Sequence, residues 1–343
     1  MSTLKNTLRD NKWACWLALA CLVVPMFASY FFDDMFSSLS ELFKNPETLE
    51  LGWDMADYGF YASGYSFLCI WGGLIVCGAL LDKFGVRLVG SIFVGMMAGG
   101  AALVTFAISA GFAPEKSLTI AYIGCMLFGL GSEIAGVSVT RSIAKWFKGR
   151  NMALAMGLQL AIARFGTATA ILIAPMIVTQ KSAGEIYTLA DTNKPALIGL
   201  AVIALGVLLW AIFVAMDARF DRQTGETDKV ETAEEDKFRI SDIWKVLSNP
   251  RFLMIAVLCV TFYCCVIRFK KFGVSILLPL FGVNLDIATV LLAMIPFFTI
   301  LFTPLFGALV DKVGKATTWM IVGSGMVLVS HLIITFAPQG VPG

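Results

Sequence analysis

Nine long runs of apolar residues dominate this chain. They fall near residues 13–32, 60–81, 88–110, 118–140, 151–178, 195–216, 252–280, 287–309 and 317–337. About 20 apolar residues are enough for one helix to cross the hydrocarbon core of a bilayer. Of the 343 residues, 58% are hydrophobic and only 15% are charged, whereas roughly a quarter of the residues in a soluble domain are charged. The runs therefore predict an all-α polytopic membrane protein with nine spanning helices.

The basic residues are distributed unevenly among the connections between these runs. Eighteen of the 26 Lys and Arg lie at the N-terminus and in every second connection, whereas four lie in the remaining connections. Because Lys and Arg accumulate in cytoplasmic loops, this asymmetry predicts a cytoplasmic N-terminus. The last four, Arg164, Arg268, Lys270 and Lys271, fall inside apolar runs. A charge inside a bilayer is costly and usually functional, so these four residues need a reason.

Several classes of function have no support in the sequence. The eight cysteines all lie in apolar runs, with no CxxC pair and no histidine close to them, so we expect no metal site. AGVSVT at 135–140 lacks the strand-turn context of a hydrolase nucleophile, and no phosphate-binding glycine loop is found. No basic and aromatic patch indicates nucleic-acid binding. We therefore expect no enzyme activity, no cofactor and no nucleic-acid partner.

One short turn occurs twice, as GALLDKFGVR at 78–87 and as GALVDKVGKA at 307–316. A small residue lets two helices approach closely in a bilayer, an acid at the helix end accepts hydrogen bonds from a neighbouring helix, and a second glycine permits a tight reversal. We expect gating roles for the motif residues. These are Gly78, Asp82, Lys83, Gly85 and Arg87 in the first copy and Gly307, Asp311, Lys312 and Gly314 in the second.

The repeated turn and one long polar interval divide the chain into two halves. Residues 217–250 form this interval, which we expect to be a cytoplasmic linker. Its end, ISDIWKVLSNP, has the alternation of apolar and polar residues typical of a short amphipathic helix on the membrane surface. The repeat indicates duplication in the same orientation. We therefore expect a six-helix bundle over 1–216 and a partial second bundle of three helices over 251–343.

The turn motif is similar to the signature of the major facilitator superfamily, Gly-x-Leu-x-Asp-Lys/Arg-x-Gly, which joins the second and third helices and recurs weakly between the eighth and ninth. The resemblance implies the fold of that superfamily, with nine of its usual twelve transmembrane helices present and three more expected beyond Gly343. Four further segments resemble the lysosomal dipeptide uniporter branch: FGLGSE (128–133), WFKGR (146–150), GLQLAIAR (157–164) and LFGALVDKVGK (305–315). This branch implies dipeptide transport, a lysosomal membrane and, by analogy, an accessory membrane subunit.

Two opposite charges are predicted to lie at one depth in the bilayer. Glu133 precedes the turn between the fourth and fifth runs by about as many residues as Arg164 follows it, at roughly 1.5 Å rise per residue. The pair is either a buried ion pair that locks the hairpin or a recognition site, in which Arg164 binds a carboxylate and Glu133 an ammonium. A zwitterion fits the second interpretation. In the dipeptide branch, the matching Glu and Arg are taken to hold the two ends of the peptide.

Three more residues are candidate substrate-binding groups. The first run resembles the dipeptide branch at Tyr30 and Asp34; Tyr30 either contacts substrate or belongs to an interfacial belt, and Asp34 is expected to end the helix in water. Tyr65, in the second run, carries the same two interpretations as Tyr30. Arg268 either snorkels to the outer interface or lines the cavity. The branch has proline in place of Arg268, and this departure favours a more acidic peptide or another anion.

These observations favour a secondary transporter that moves a small zwitterionic or anionic solute, with dipeptides as the expected class, by alternating access. Uniport is expected because Cys125 stands where many proton-coupled members have arginine. The alternatives are a proton-coupled organic-anion or drug exporter and a truncated nontransporting membrane scaffold. Arg141 is expected to pair with Asp82 in the inner gate. Gln159 is expected either to pack or to support the substrate contacts from behind, and His331 is expected to have a packing or interfacial role. The expected partners are a small solute and the lipid bilayer, with the bacterial cytoplasmic membrane as the default location.

Overall fold

The computed structural model describes residues 8, 11–148, 151–178, 185–224 and 247–336. Within these ranges, nine helical segments are long and apolar enough to cross a membrane. The predicted all-α membrane fold with nine spans is thereby confirmed. The chain divides into two compact units, Met1–Val230 (unit 1) and Glu231–Gly343 (unit 2). The boundary between the two units lies inside the polar interval that was predicted to be a linker.

The described part of unit 1 contains seven α-helices that make six spans. They are α1 (Lys12–Asp34), α2 (Met55–Leu68), α3 (Leu74–Phe84), α4 (Val86–Ser109), α5 (Pro114–Trp146), α6 (Met152–Ile177) and α7 (Leu189–Thr224). α2 and α3 belong to one span and are joined by a π-helical turn over Cys69–Gly73. Gly72 in this turn has a φ of 91°, which glycine adopts without a steric penalty. The second span is therefore kinked near its middle.

The described part of unit 2 contains three helices. They are α8 (Pro250–Phe281), α9 (Leu285–Val313) and α10 (Ala316–Phe336). α8 packs against both α9 and α10, and Gly273 on α8 lies against the side chain of Leu292 on α9. Many large apolar side chains of these helices are exposed, among them Met254, Ile321 and Phe336. An apolar surface of this kind suits a lipid environment.

Local sequence signals set the ends of the helices in unit 1. Asn11 caps α1 by accepting a 3.0 Å hydrogen bond from the backbone N–H of Trp13. Asp54 and Asp57 form a capping box at the start of α2, in which each carboxylate accepts from the backbone N–H of the other residue. Gly85, with a φ of 83°, both ends α3 and begins α4. These signals fix where each span begins and ends.

The core of unit 1 depends on close contacts between helices. α4 packs along α5, and α1 packs against α6 and α7. A Cβ added at Gly100 or Gly124 would collide with the facing backbone between α4 and α5, so glycine permits this approach. Toward one end of the unit, large buried rings complete the core: Trp146, Trp210, Phe213 and Phe220.

The two ends of unit 1 differ in chemistry. One end carries Lys83, Arg87, Arg141, Lys145 and Lys148, and we call it the basic end. The opposite end is covered by the segment between α1 and α2, together with the start of α2. Its aromatic rings pack on one another: Phe36, Phe43, Trp53, Tyr58 and Tyr61. Apolar and aromatic packing thus covers one end, whereas charged groups gather at the other.

The sixth span is longer than the apolar pattern indicates. α7 continues to Thr224, past residue 216 where the predicted span ends, so Asp217 and Asp221 lie on a helix within the interval predicted to be a linker. Residues 225–246 lie outside the described residues, and most of the expected surface helix ISDIWKVLSNP falls among them. The linker and the amphipathic helix therefore stay predictions.

Candidate functional site

A cavity of about 460 Å³ lies in unit 1 among α1, α2, α5 and α6. Its lining includes seven polar side chains: Tyr30, Tyr65, Ser132, Glu133, Thr140, Arg141 and Gln159. Three of the residues predicted to bind substrate, Tyr30, Tyr65 and Glu133, therefore meet on one cavity. The predicted gating residue Arg141 lies on the same cavity. Ligand pockets in proteins commonly have volumes of about 300–1,000 Å³, so the cavity is of a size that suits a small solute.

Glu133 is the acidic residue on the wall of this cavity. Its side chain is exposed, and the hydroxyl of Tyr65 donates a 2.9 Å hydrogen bond to its Oε1. Among the described residues, no basic side chain forms an ion pair with Glu133. An acidic side chain near the centre of a spanning helix costs about 2.5–3.5 kcal/mol on insertion scales. A carboxylate on a cavity wall can accept hydrogen bonds from a positively charged group.

Close packing of α2 on α5 brings Tyr65 to Glu133. A Cβ added at Gly129 would collide with the carbonyl oxygen of Tyr65, so the glycine in FGLGSE permits this contact. The hydrogen-bond chain continues behind Tyr65, whose hydroxyl lies 3.2 Å from Oγ of Ser132. The hydroxyl of Ser132 in turn hydrogen-bonds to that of Ser29 on α1. Sequence analysis did not single out either serine, since isolated serines in apolar runs usually satisfy their own helix.

Arg164 lies beside the cavity rather than on its wall. Its guanidinium carbon is 5.8 Å from the ring centre of Tyr30, which does line the cavity. Both side chains are half-buried. Within the part of the chain that the structure describes, Arg164 and Glu133 form no direct ion pair. The alternative in which this pair locks the hairpin is therefore contradicted, whereas its expected role in recognition stays a prediction.

Asp34 does not end α1 in water, so that expectation was wrong. Its side chain is 0% exposed and accepts a 2.8 Å hydrogen bond from the hydroxyl of Thr167 on α6. The hydroxyl of Ser37 lies 3.5 Å from its other oxygen. The 3₁₀-helical segment Ser37–Lys44 covers this end of α1. The sequence pattern places the acid at the end of the apolar run but contains no sign that the chain folds back over it.

A residue of the repeated turn forms an ion pair with α5 at the basic end. Arg141 pairs with Asp82, the partner expected from the sequence. The side chain of Arg141 is 34% exposed and that of Asp82 is 45% exposed. Lys83 is exposed, with its ammonium 5.3 Å from the ring centre of Phe84, and Lys312 in the second copy is exposed as well. The gating role of these residues stays a prediction.

Among the described glycines of the turn, Gly85 and Gly314 serve its reversal, whereas Gly78 makes no close contact with another helix. A Cβ added at Gly78 would meet no atom within 4 Å among the described residues, so the expected close approach at this position is absent. Gly85 and Gly314 have φ values of 83° and 70°, and the tight reversal expected of both copies is present. Gly307 and Asp311 belong to α9, and their side-chain surroundings lie outside the described part of the chain.

A buried group of charges joins α4, α5 and α7 next to this turn. The ammonium of Lys145 lies 3.0 Å from a carboxylate oxygen of Asp217 and 2.7 Å from one of Asp221. Arg87, the last residue of the first turn motif, lies 3.1 Å from Asp221, and the indole N–H of Trp146 donates to Asp217 over 2.8 Å. Sequence analysis assigned both acids to the linker. Their i, i+4 spacing directly after an apolar run is the signal that could have placed them on one helix face.

Gln159 is closer to the cavity than the sequence suggested. It was expected either to pack or to support the substrate contacts from behind, because it lies on a different face of its helix from Arg164. The structure places its buried side chain on the cavity wall. Its amide donates a 3.3 Å hydrogen bond to the hydroxyl of Thr140 on α5. Gln159 therefore links α6 to α5 at the cavity.

The remaining candidates lie in unit 2. Arg268 is exposed on α8, and its contact with substrate stays a prediction. His331 on α10 has its Nδ1 at 2.9 Å from the carbonyl oxygen of Val327. Its ring meets that of Phe269 edge-on, with 6.3 Å between the ring centres. These contacts are those of a packing residue, as the sequence indicated.

Comparison with known proteins identifies relatives of the chain. Three curated relatives are named lysosomal dipeptide transporter MFSD1. The protein of Pongo abelii is 28% identical over 335 residues, that of Homo sapiens 27% over 335 residues and that of Mus musculus 28% over 330 residues. Each alignment covers 93% of this chain and 66% of the relative. The chain therefore spans about two thirds of the length of these relatives, and the resemblance to the dipeptide branch is confirmed.

Two further comparisons concern the fold and the family. A solved structure of a D-xylose-proton symporter superposes with a TM-score of 0.53 over 87% of this chain and 68% of that chain. At 14% sequence identity, this likeness shows the fold alone. The family model of the Major Facilitator Superfamily matches residues 19–342, which include most of the first span, the eight other spans of the described residues and both copies of the turn. The chain thus belongs to the Major Facilitator Superfamily.

Proposed function

We propose that this protein is a secondary transporter of dipeptides, in which the carboxylate of Glu133 binds the amino end of the peptide. The observation that carries the proposal is the position of Glu133. Its carboxylate faces a cavity of about 460 Å³, accepts one hydrogen bond from Tyr65 and has no basic partner among the described residues. Such a carboxylate can accept charge-assisted hydrogen bonds from an ammonium group.

The other end of the peptide requires a positive charge. Arg164 supplies a guanidinium on the neighbouring helix, next to Tyr30 of the cavity wall. A guanidinium can hold a carboxylate by two parallel hydrogen bonds, which a lysine cannot do. The similarity to the dipeptide branch supports Arg164 in this role. The site then recognises both charged ends of a peptide and leaves its side chains to the remaining cavity.

Two further features support the substrate class and the mode of transport. The curated relatives named as dipeptide transporters support the substrate class. Cys125 is a buried, uncharged residue on α5, at the position where many proton-coupled members have arginine, which supports uniport. In this proposal the two bundles rock about a site near the bilayer midplane, as in other transporters built from repeats.

Uptake by proteoliposomes tests the proposal. The purified complete protein is reconstituted, and the entry of radiolabelled alanyl-alanine is followed without a proton gradient. We expect saturable uptake that is reduced at least tenfold by Glu133→Gln, because the neutral amide loses the attraction for the ammonium. Glu115→Gln, an exposed acid at the other end of α5, is the matched control and should transport normally. Equal uptake by both variants, or none by the unaltered protein, would refute the proposal.

A further inference from the structure

Glu133 and Arg141 line the same cavity from a single helix. Gly136, Val137 and Thr140 lie between them and also face the cavity, as expected of residues three and four positions apart on one helix face. The Cα atoms of Glu133 and Arg141 are about 12 Å apart along the axis, at roughly 1.5 Å per residue. The α5 wall of the cavity therefore has an acid toward the middle of the helix and a guanidinium toward the basic end.

The length of a dipeptide matches this arrangement. Two extended residues span at most about 7 Å, and the long side chains of Glu133 and Arg141 occupy part of the 12 Å between their backbones. A peptide with its amino end at Glu133 can direct its carboxylate along α5 to Arg141. Arg164 does not line the cavity in the state that the structure shows, because its guanidinium lies over the ring of Tyr30.

Asp82 holds Arg141 in a pair that a ligand can open. Their side chains are 45% and 34% exposed, and ion pairs with this exposure are weak and readily exchanged. The neighbouring acids Asp217 and Asp221 are only 3% and 6% exposed in their pairs with basic residues. Removing one partner from a buried pair leaves an uncompensated charge, which is strongly unfavourable. Of the two charge groups at the basic end, the Asp82–Arg141 pair is therefore the one that can change partners.

We infer that the carboxylate of a bound dipeptide displaces Asp82 from Arg141. This inference rests on the proposed dipeptide function and, in the state that the structure shows, places the peptide carboxylate at Arg141, which lines the cavity, in place of Arg164, which does not. The guanidinium of Arg141 would donate two parallel hydrogen bonds to the peptide carboxylate in place of its pair with Asp82. Because Asp82 belongs to the turn between α3 and α4, occupation of the cavity then releases one end of that turn. Substrate binding and gating are thereby connected through a single side chain.

Calorimetric titration of the purified complete protein tests the inference with two ligands. Alanyl-alanine carries a free carboxylate, whereas its C-terminal amide has the same length without the negative charge. Asp82→Asn removes the carboxylate that competes for Arg141. It should lower the dissociation constant for alanyl-alanine at least threefold and leave the dissociation constant for the amide unchanged. Arg141→Gln should raise the dissociation constant for alanyl-alanine at least tenfold, so that alanyl-alanine and its amide bind with equal affinity. Glu115→Gln, an exposed acid away from the cavity, is the matched control and should bind both ligands as the unaltered protein does.

The outcomes separate the inference from the function on which it rests. If the unaltered protein binds alanyl-alanine through Glu133, but Asp82→Asn and Arg141→Gln both keep its preference for the free carboxylate, the inference is wrong and the proposed function stands. If the unaltered protein binds neither ligand, both fail. Should Arg141→Gln not fold, Arg141→Lys replaces it. Lysine keeps the charge beside Asp82 but lacks the fork of the guanidinium, so the preference for the free carboxylate should fall, and an unchanged preference would overturn the inference.

Discussion

Tyr65 donates a 2.9 Å hydrogen bond to Glu133 across the contact between α2 and α5. The same hydroxyl lies 3.2 Å from Ser132, whose own hydroxyl bonds to Ser29 on α1. A chain of hydrogen bonds that begins at the carboxylate of Glu133 thus joins α5, α2 and α1. A hydroxyl that donates to a carboxylate fixes the orientation of that carboxylate. Tyr65 therefore holds the side chain of Glu133 in place on the cavity wall.

Replacing Tyr65 by phenylalanine should weaken peptide binding without unfolding the protein. A hydrogen bond to a charged group contributes about 1.5–3 kcal/mol, which corresponds to roughly tenfold or more in affinity. We expect Tyr65→Phe to raise the dissociation constant for alanyl-alanine by about that factor, as measured by calorimetry. Tyr122→Phe is the matched control, because the ring of Tyr122 stacks on Phe60 at 4.3 Å between centres. A change of the same size in both variants would contradict this account of Tyr65.

Gly129 allows the backbone of Tyr65 to approach α5 closely, so a single added methyl group at this position should have a large effect. At Gly129 this group would collide with the backbone of Tyr65, and overpacking of this kind costs about 1–3 kcal/mol. We expect Gly129→Ala to lower both the thermal unfolding temperature and the affinity for alanyl-alanine. Gly157→Ala on α6 adds the same group where no atom of the described residues lies within 4 Å, and both properties should be unchanged. Equal stability of the two variants would argue against close packing at Gly129.

The two groups of charges at the basic end should differ in their contribution to stability. Asp217→Ala leaves the indole N–H of Trp146 without its buried acceptor and removes one of the two carboxylates that pair with Lys145, and breaking a buried pair costs about 3 kcal/mol or more. Asp82→Ala removes an exposed pair, which contributes less than about 1 kcal/mol. Denaturant unfolding in detergent measures both. Equal losses in the two variants would show that burial does not separate the two groups.

The charge asymmetry predicts that the basic end faces the cytoplasm. Lys148 lies at this end, whereas Glu47 lies in the segment that covers the opposite end. Single cysteines at the two positions, Lys148→Cys and Glu47→Cys, are placed in a background with the native cysteines replaced and are exposed to an impermeant maleimide on intact cells. We expect labelling of the cysteine at 47 and protection of the cysteine at 148 until the membrane is permeabilised. The reverse pattern would invert the proposed topology.

The sequence predicted those features that follow from length, charge and glycine chemistry. Nine apolar runs became nine membrane-length helices, since a run of this length can satisfy its backbone in lipid only as a helix. Gly85 and Gly314 adopt the positive φ that a tight reversal needs. Glu133 was singled out because a charge in an apolar run is costly, and it does lie on a cavity.

The features that escaped prediction depend on what a residue meets across space. Gly78 was expected to allow two helices to approach closely, yet no described atom lies near it. Gly129 does allow such an approach, between α5 and α2, but sequence analysis did not assign it this role. Asp34 is buried and accepts a hydrogen bond from Thr167 of α6, which lies far from it in the sequence. Asp217 was assigned to a linker because a hydropathy window ends where charges begin. Its buried partner Lys145 comes from another helix, which a window along the chain does not show.

The central claim, that Glu133 binds the amino end of the peptide, is tested most directly by competition with a ligand that lacks the positive charge. Uptake of radiolabelled alanyl-alanine is measured in proteoliposomes against unlabelled alanyl-alanine or N-acetyl-alanyl-alanine. The account predicts that the acetylated peptide competes at least tenfold less well in the unaltered protein, and that this difference disappears in Glu133→Gln. Equal competition by the two peptides in the unaltered protein, or a difference that persists in Glu133→Gln, would contradict it.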